Sequence, residues 1–323
     1  MPRKARLIVP GAIYHVMARC LDQYQLFGDD ADREHFLMLL DTCITRTQTR
    51  CYAWVLMDTH YHLVVRIADI ELWELLKPLN MRYAYYHKEK TGRRGPLLMD
   101  RYKSIATQDQ CYAEELVRYV HLNPVRAGIC KNLKQLEKHH WCGHAALMGK
   151  MERRFQDTRT VLRRFGRNDT DARAGYCRFL EEGMRCNSEN DRLLELMRKS
   201  NRGTESGRTS GCWVIGDPQF VSQALSSSEA RRLRISRFEQ EGGDFSPVVH
   251  SISTKIAIDE KQLRTRHRGG IHSEARKIFA YVATREFGAP VSKVASYLRV
   301  GDSAVSALSR SGRELSRRRG ITN

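Results

Sequence analysis

The N-terminal part of the chain alternates short apolar stretches with longer stretches of helical periodicity. Residues 12–19, 51–57 and 60–67 are rich in strand-forming side chains, and the Asp58–Thr59 turn joins the last two into a predicted hairpin. Apolar residues at helical spacing predict a first helix over 31–47, with Asp29-Asp30 as its cap. The further predicted elements are a helix over 70–90, a strand near 98–107 and a helix over 109–122.

The order of these elements is strand, helix, strand, strand, helix, strand, helix, which is typical of a small antiparallel sheet with packed helices. On the strand 60–67, alternate residues form a wholly apolar face that belongs on the core. This face consists of Tyr61, Leu63, Val65 and Ile67. We therefore predict an α+β fold of the ferredoxin-like class, with the helices on one face of the antiparallel sheet.

The second half of the chain has a different, mainly helical pattern. Arg-rich helical patches lead into a run of Ser, Gly, Thr and Arg at 200–211, which is typical of a flexible linker. A helix over 217–239 and a compact helical block over 273–316 follow. We predict a domain over 1–150, a helical and linker region of unassigned role over 151–270, and a small helical domain over 271–323.

Charge indicates the class of partner. Lys and Arg number 55 against 37 acidic residues, which gives a net charge of +18. The surplus is present in both halves, because residues 1–150 hold 22 basic and 16 acidic side chains (+6) and residues 151–323 hold 33 and 21 (+12). Each cation near a phosphate releases a condensed counterion, so such a surplus favours a nucleic-acid partner. The alternative is a solvated basic surface without such a role.

The cysteines and the apolar runs indicate the compartment. Nine cysteines, an odd number, occur without a Cys-x-x-Cys pair, a pattern that fits buried thiols in a reducing environment. The first six residues are not followed by the apolar stretch of a signal peptide. No apolar run approaches the roughly 20 residues that cross a bilayer. We expect a cytoplasmic protein without a membrane partner.

The sharpest chemical pattern is His60-Tyr61-His62 on the predicted third strand. Residues two apart on a strand project from the same face, so the two imidazoles stand side by side opposite the apolar face. Neutral imidazole is a common metal ligand, and one divalent ion could bridge the pair. The alternative is two polar histidines on a solvated face of the sheet.

A nucleophile and a third ligand follow on the predicted helix 109–122. Tyr119 and Asn123 are four residues apart and so share a helical face. A phenol can act as nucleophile in a covalent intermediate, and an amide oxygen can complete a hard metal site. In the alternative, Tyr119 packs and Asn123 ends the helix before Pro124. Tyr102 and Tyr112 are competing phenols, and spacing alone does not choose among the three.

Four motifs then carry a resemblance to a known family. In order they are Pro10-Gly11-Ala12-Ile13-Tyr14-His15-Val16, Trp54-Val55-Leu56-Met57 with His60-Tyr61-His62-Leu63-Val64-Val65, Asp100-Arg101-Tyr102-Lys103, and Arg118-Tyr119-Val120-His121-Leu122-Asn123-Pro124-Val125-Arg126-Ala127-Gly128. Together they resemble the REP-associated tyrosine transposases, in the single-tyrosine branch of the His-hydrophobe-His nucleases. The resemblance spans about residues 5–150.

The resemblance implies an enzyme that cleaves and rejoins single-stranded DNA beside a hairpin and leaves a 5′-phosphotyrosine. It makes Tyr119 the nucleophile and His60, His62 and Asn123 the ligands of a divalent metal, Mg or Mn. Further candidate DNA contacts of this domain are Arg101, Lys103 and Arg126. Two departures stand out: Cys20 where the family usually has glycine, and His140-Trp141-Cys142-Gly143-His144 where relatives tend to carry a Trp-rich segment.

Residues 292–310 resemble a helix-turn-helix, and the block 273–316 resembles the DNA-binding end of bacterial replication initiators. Ala295 would be the small residue of the first helix and Val305 the apolar anchor of the second. The second helix of such a module enters the major groove of duplex DNA. Its candidate DNA-binding residues are Ser303, Ser306 and Arg310. Arg299 replaces the usual glycine of the turn, and the alternative is a packing unit without DNA contact.

Two other functions stay open at this point. The first is a sequence-specific DNA-binding regulator that keeps the fold and the charge but no longer cuts. The second is a metal-dependent phosphodiesterase that activates water instead of a phenol. An adduct that depends on Tyr119 would separate the tyrosine enzyme from both.

Overall fold

The computed structural model describes residues 9, 11–21, 24–67, 70–108, 110–185, 212–240, 242–265 and 269–322. The chain divides into two compact units, Met1–Leu225 and Ser226–Asn323. These limits differ from the boundaries expected at residues 150 and 270. The linker expected over 200–211 lies outside the described residues.

The first unit is built on a five-stranded sheet in the order β2-β3-β1-β4-β5. Its strands are β1 (Ile13–Arg19), β2 (Arg50–Met57), β3 (His60–Arg66), β4 (Lys103–Thr107) and β5 (Cys212–Ile215). The first four pair antiparallel, and β5 pairs parallel to β4. The predicted α+β class is confirmed. Strand β5 was not predicted, because four residues are too few to show a strand periodicity.

Two long helices cover the predicted apolar face of the sheet. Helix α1 (Asp30–Thr47) begins at Asp29, whose carboxylate accepts a hydrogen bond from the Asp32 amide as an N-cap does. Helix α2 (Leu72–Thr91) follows the hairpin. Both pack against the same side of β1 and β3, so the core assignment of this face is confirmed. The large buried side chains here include Tyr14, Trp54, Tyr61, Phe36, Leu40 and Tyr83.

Helices also cover the opposite face, so the prediction of helices on one face only was wrong. Helix α3 (Gln110–His121) packs there against β2 and β3. Its buried Leu116, Val117 and Val120 lie in one core with Val55 and Val64. The physical reason is that this face also carries aliphatic side chains, although the histidines of β3 suggested a solvated surface. Burying it removes further apolar area from water.

Short helices lead from α3 across the outer edge of β2. They are α4 (Asn123–Arg126), α5 (Leu133–Leu136), α6 (His144–Leu147) and α7 (Thr158–Leu162). The backbone of this segment bonds along β2, through Gly143 N to Trp54 O at 2.9 Å and Asp157 N to Cys51 O at 2.7 Å. The Trp54 indole also donates to the Gln156 side chain at 2.8 Å. The outer edge of β2 is therefore paired.

Helix α8 (Asp169–Arg185) packs against α3 and anchors it. His121 Nδ1 lies 2.6 Å from the Tyr176 hydroxyl, and both side chains are fully buried. The Arg118 guanidinium lies 4.1 Å from the centroid of the Phe179 ring and donates to the Phe179 carbonyl at 3.2 Å. Residues well beyond 150 thus hold the helix that carries Tyr119.

The second unit is helical. The boundary between the units falls within α9 (Pro218–Gln240), and the later elements are α10 (Ser246–Ile256), α11 (Glu260–Arg264), α12 (Gly270–Tyr281) with a π-helical turn (Val282–Glu286), α13 (Val291–Leu298) and α14 (Asp302–Arg318). Helices α12 and α14 approach so closely that a Cβ on Gly312 would lie 2.0 Å from the Lys277 carbonyl oxygen. Within the described ranges, no helix has the length and apolar character needed to cross a membrane.

Candidate active site

The paired histidines of β3 project from the face that α3 covers. The centroids of the His60 and His62 rings are 5.0 Å apart, and the rings are nearly perpendicular. His62 is buried and His60 is half-buried. Strand β1 lies alongside with Arg19 opposite His60 and Met17 opposite His62. The strand alternation expected from the sequence therefore brings both imidazoles to one side of the sheet.

A third histidine, His15 of β1, lies at the same site. Its Nε2 is 2.8 Å from His62 Nδ1, and the two ring planes differ by only 8°. The side chain is 6% exposed, so the contact is buried. His15 was not among the candidate site residues expected from the sequence. The available signal was the alternation of β1, which puts Ile13, His15 and Met17 on one face.

The Tyr119 ring stands edge-on to two of these imidazoles. Its centroid lies 5.5 Å from that of His15 and 5.8 Å from that of His62. The competing phenols lie elsewhere: Tyr102 is buried in the core on the other face of the sheet, and Tyr112 is seven residues before Tyr119 on α3. Of the three candidate phenols, Tyr119 is the one in ring contact with the histidines.

Asn123 and Arg126 surround the C-terminal end of α3. Asn123 is the first residue of α4 and not the last of α3, because the helix breaks at Leu122. Its Nδ2 donates to the carbonyls of Tyr119 at 2.8 Å and Val120 at 3.3 Å. The amide thus ends α3, as the alternative reading had it, while its oxygen is used in neither bond. Arg126 donates to the Tyr119 carbonyl at 3.0 Å, and its guanidinium lies 5.0 Å from the centroid of the Tyr119 ring.

Burial determines the protonation of these groups. Desolvation lowers the pKa of His15 to about 4 and that of His62 well below its usual value, and the neighbouring His15, His60 and Arg126 add to the second shift. Burial and then Arg19 lower the pKa of His60. Burial raises the pKa of Tyr119, and Arg126 partly opposes that shift. Near neutral pH the site therefore holds neutral imidazoles and a protonated phenol.

Two imidazole nitrogens of this site are left for a cation. Thr59 Oγ1 lies 3.0 Å from His60 Nδ1, and His15 occupies Nδ1 of His62, so the Nε2 atoms are the ones left for a ligand. Imidazoles whose second nitrogen is hydrogen-bonded in this way are typical of metal sites. Across the described part of the chain, no group of three or more His, Cys, Asp or Glu side chains could hold a metal ion. A third ligand from the described residues would therefore have to be a group other than a His, Cys, Asp or Glu side chain.

Cationic side chains flank this site on the sheet. Lys103, exposed on β4, pairs with Met17, which pairs in turn with His62, so the three lie in one cross-strand row on one face. Arg101 is exposed just before β4. Arg19, which the sequence analysis did not single out, neighbours His60 on the same face.

The candidate residues of the second unit lie on α14. Ser306 and Arg310 are half-buried there, while the side chain of Ser303 lies outside the described residues. Val305 and Ala295 are buried as expected for anchors of packed helices. Arg299 adopts the left-handed conformation, with φ 53° and ψ 51°, and its N–H bonds to the Ala295 and Ser296 carbonyls. The turn therefore forms without glycine.

Residues 8–123 match the model of a family of transposases. The family is that of the IS200-like transposases, and the match runs from before β1 to the first residue of α4. The resemblance to transposases that the sequence motifs indicated is confirmed for this part of the chain.

One similar solved structure is that of a REP-associated tyrosine transposase bound to a REP hairpin. It is 14% identical, the alignment covers 46% of this chain and 87% of that chain, and the TM-score is 0.39. No curated protein matches the chain.

Proposed function

We propose that the first unit is a metal-dependent endonuclease and strand transferase for single-stranded DNA, with Tyr119 as its nucleophile. The observation that carries the proposal is the phenol of Tyr119 edge-on to His62 at 5.8 Å between ring centroids. The family match supports DNA transposition as the broader activity. The proposal that cleavage occurs beside a hairpin rests on the family resemblance carried by the four sequence motifs.

In the proposed reaction, Tyr119 Oη forms a bond to phosphorus as the bond from phosphorus to the 3′-oxygen breaks. The phenol loses its proton, and the leaving 3′-oxygen gains one, so the products are a 5′-phosphotyrosine and a free 3′-hydroxyl. The covalent intermediate conserves the phosphodiester bond in a form that a 3′-hydroxyl can attack in the reverse direction. The same site can therefore cut and rejoin.

His60, His62 and the Asn123 amide oxygen would hold Mg or Mn, and the ion when bound supplies positive charge to a nonbridging phosphate oxygen. Arg126 lies beside the Tyr119 ring and opposes the effect of burial on its pKa, so it favours the phenolate that the reaction needs.

The surrounding cations give the DNA strand its path in this proposal. Arg19 and Lys103 lie on the face of the sheet that carries His62, and Arg101 precedes β4. Each would contact a backbone phosphate, and such contacts position a strand without reading its sequence. Arg126 would contact the phosphate next to the phenol.

A covalent-capture assay tests the nucleophile. A hairpin oligonucleotide with single-stranded flanks is labelled at its 3′ end, since the downstream fragment stays on the tyrosine, and is incubated with protein and Mn²⁺. We expect a labelled protein band on denaturing gels that Tyr119→Phe abolishes. Tyr112→Phe, a change on the same helix, is the matched control and should leave the band intact.

The rival functions predict different results. Cleavage that survives Tyr119→Phe and is lost in His60→Ala would show a water-activating phosphodiesterase. Hairpin binding without cleavage or a covalent adduct, whichever divalent metal ion is added, would show a DNA-binding regulator. Either result overturns the tyrosine mechanism.

For the second unit we propose binding to duplex DNA through α14. The helix carries Arg310, Arg313, Arg317 and Arg318, and its first turns hold Ser303 and Ser306. Cations along one helix are typical of phosphate contacts, and early residues of such a helix reach base edges. In this proposal the helix-turn-helix recruits the enzyme to its target site.

A further inference from the structure

His15 belongs to the first sequence motif, yet the proposed reaction gives it no part. It is buried in β1 with its Nε2 at 2.8 Å from Nδ1 of His62. We infer that His15 is a positioning residue: it accepts a hydrogen bond from Nδ1–H of His62 and thereby fixes the tautomer in which His62 Nε2 is free to bind a cation. The inference rests on the proposed function, in which His62 is a ligand.

One proton lies between the two facing nitrogens, and its position decides which ring is the acceptor. A neutral imidazole carries a single N–H, so one of the two facing nitrogens donates and the other accepts. If His15 donated, His62 would carry its proton on Nε2 and that atom could not bind a metal. If His62 donates, its Nε2 has a free lone pair. A ligand role for His62 therefore requires His15 to be the acceptor, protonated on its own Nδ1.

The geometry makes this contact a rigid one. The ring planes are parallel within 8°, and the centroids are 5.1 Å apart while the facing nitrogens are 2.8 Å apart, so the two nitrogens lie nearly on the line between the ring centres and the hydrogen bond runs close to both ring planes. Both side chains are almost inaccessible to water, with 6% and 2% exposure, so no solvent competes for the bond. Adjacent antiparallel strands carry them, and backbone pairing of β1 and β3 sets their separation.

The two histidines of β3 differ in this respect. The Thr59 hydroxyl beside His60 Nδ1 can donate or accept, so it is compatible with either tautomer of His60. His15 with its own proton on Nδ1 offers only an acceptor at Nε2, so this form of His15 is compatible with one form of His62, the one protonated on Nδ1. The Tyr119 ring is in a T-shaped arrangement with both His15 and His62, at 5.5 and 5.8 Å between centroids. His15 thus also fixes the imidazole against which the phenol rests.

Two substitutions separate the hydrogen bond from packing. His15→Leu fills the buried position with an apolar side chain of similar size and removes the hydrogen-bond acceptor. His15→Gln keeps an amide oxygen at about the reach of Nε2, so it should restore part of the effect. His87→Leu, at a buried histidine of α2 on the other face of the sheet, is the matched control. Groups that hydrogen-bond to a metal-binding histidine without contacting the metal themselves typically contribute about 10- to 100-fold in metal affinity.

The first measurement is nitrogen-15 NMR of histidine-labelled, metal-free protein, with His62 assigned from a His62→Gln variant. We expect His62 in the Nδ1–H form in the wild type and in His15→Gln, and a shift toward the Nε2–H form in His15→Leu. An Nε2–H form of His62 in the wild type, or an unchanged tautomer in His15→Leu, overturns the inference.

The second measurement is Mn²⁺ affinity by calorimetry. We expect His15→Leu to bind Mn²⁺ about 10- to 100-fold more weakly, with His15→Gln between it and the wild type and His87→Leu unchanged. Equal affinity in His15→Leu and wild type refutes the positioning role. A wild type that binds no Mn²⁺ refutes the metal centre of the proposed function instead, and the tautomer measured without metal still decides the role of His15.

Discussion

Replacing His144 by leucine should stabilise the first unit. The side chain lies in α6 at 0% exposure, and neither ring nitrogen has a hydrogen-bond partner. A buried polar group left without a partner costs about 1–3 kcal/mol of folding free energy. Leucine has a similar volume and no polar atoms, so we expect His144→Leu to raise the free energy of unfolding by roughly 1 kcal/mol at pH 7.

The advantage of the variant should grow in acid. Burial lowers the pKa of His144 to about 4, from 6.5 for an accessible histidine. Below pH 6.5 the unfolded chain binds a proton that the folded chain does not, so the wild type loses stability as the pH falls from 6.5 toward 4. One pKa unit corresponds to about 1.4 kcal/mol, which gives a loss of about 2 kcal/mol at pH 5. The variant has no such loss, so at pH 5 its free energy of unfolding should exceed that of the wild type by about 3 kcal/mol.

Urea unfolding followed by tryptophan fluorescence measures the difference. All four tryptophans precede residue 225, so the signal reports on the first unit alone. Leu147→Val, a change without a titrating group in the same helix, should shift the unfolding free energy equally at pH 7 and pH 5. A difference between wild type and His144→Leu that stays constant between these pH values refutes the reasoning.

Two further predictions concern the helix α3 and the second unit. Tyr176→Phe removes the hydroxyl 2.6 Å from His121 Nδ1, so we expect a loss of about 1–2 kcal/mol in urea unfolding and slower formation of the DNA adduct at unchanged Mn²⁺ affinity. An adduct rate equal to that of the wild type would contradict the anchoring of α3 by α8. Replacing Arg310 and Arg313 together by Gln should make the negative slope of log affinity against log salt concentration for duplex DNA less steep by about 2. Adduct formation on the hairpin should not change. An unchanged slope would exclude α14 as the duplex-binding surface.

Local periodicity was sufficient to predict most of the sheet and its helices. Strand β1, helix α1 and the hairpin of β2 and β3 lie within one or two residues of their predicted limits, because each has a clear period and a turn or cap at its end. The same alternation put His60 and His62 on one face. Short or distant elements were not predictable in this way: β5 joins the sheet from more than 100 residues along the chain.

The site was predictable only as far as it lies within single elements. Tyr119 was selected by its motif, and its contact with His62 depends on how α3 packs on the sheet. The contact of His15 with His62 depends on β1 lying beside β3, which no local pattern specifies. Asn123 illustrates the opposite case, because a spacing of four suggested one helical face while the chain breaks at Leu122.

The paired edges of the sheet restrict how two copies of this protein could associate. Residues 141–157 bond to the outer side of β2, and β5 occupies the outer side of β4. Exposed strand edges are the usual route to intermolecular pairing, and in the described part of the chain the outer edges of β2 and β4 are both covered. A fragment cut down to residues 8–123 would lose both coverings at once. Such a fragment should self-associate through these bare strand edges more strongly than the intact chain does.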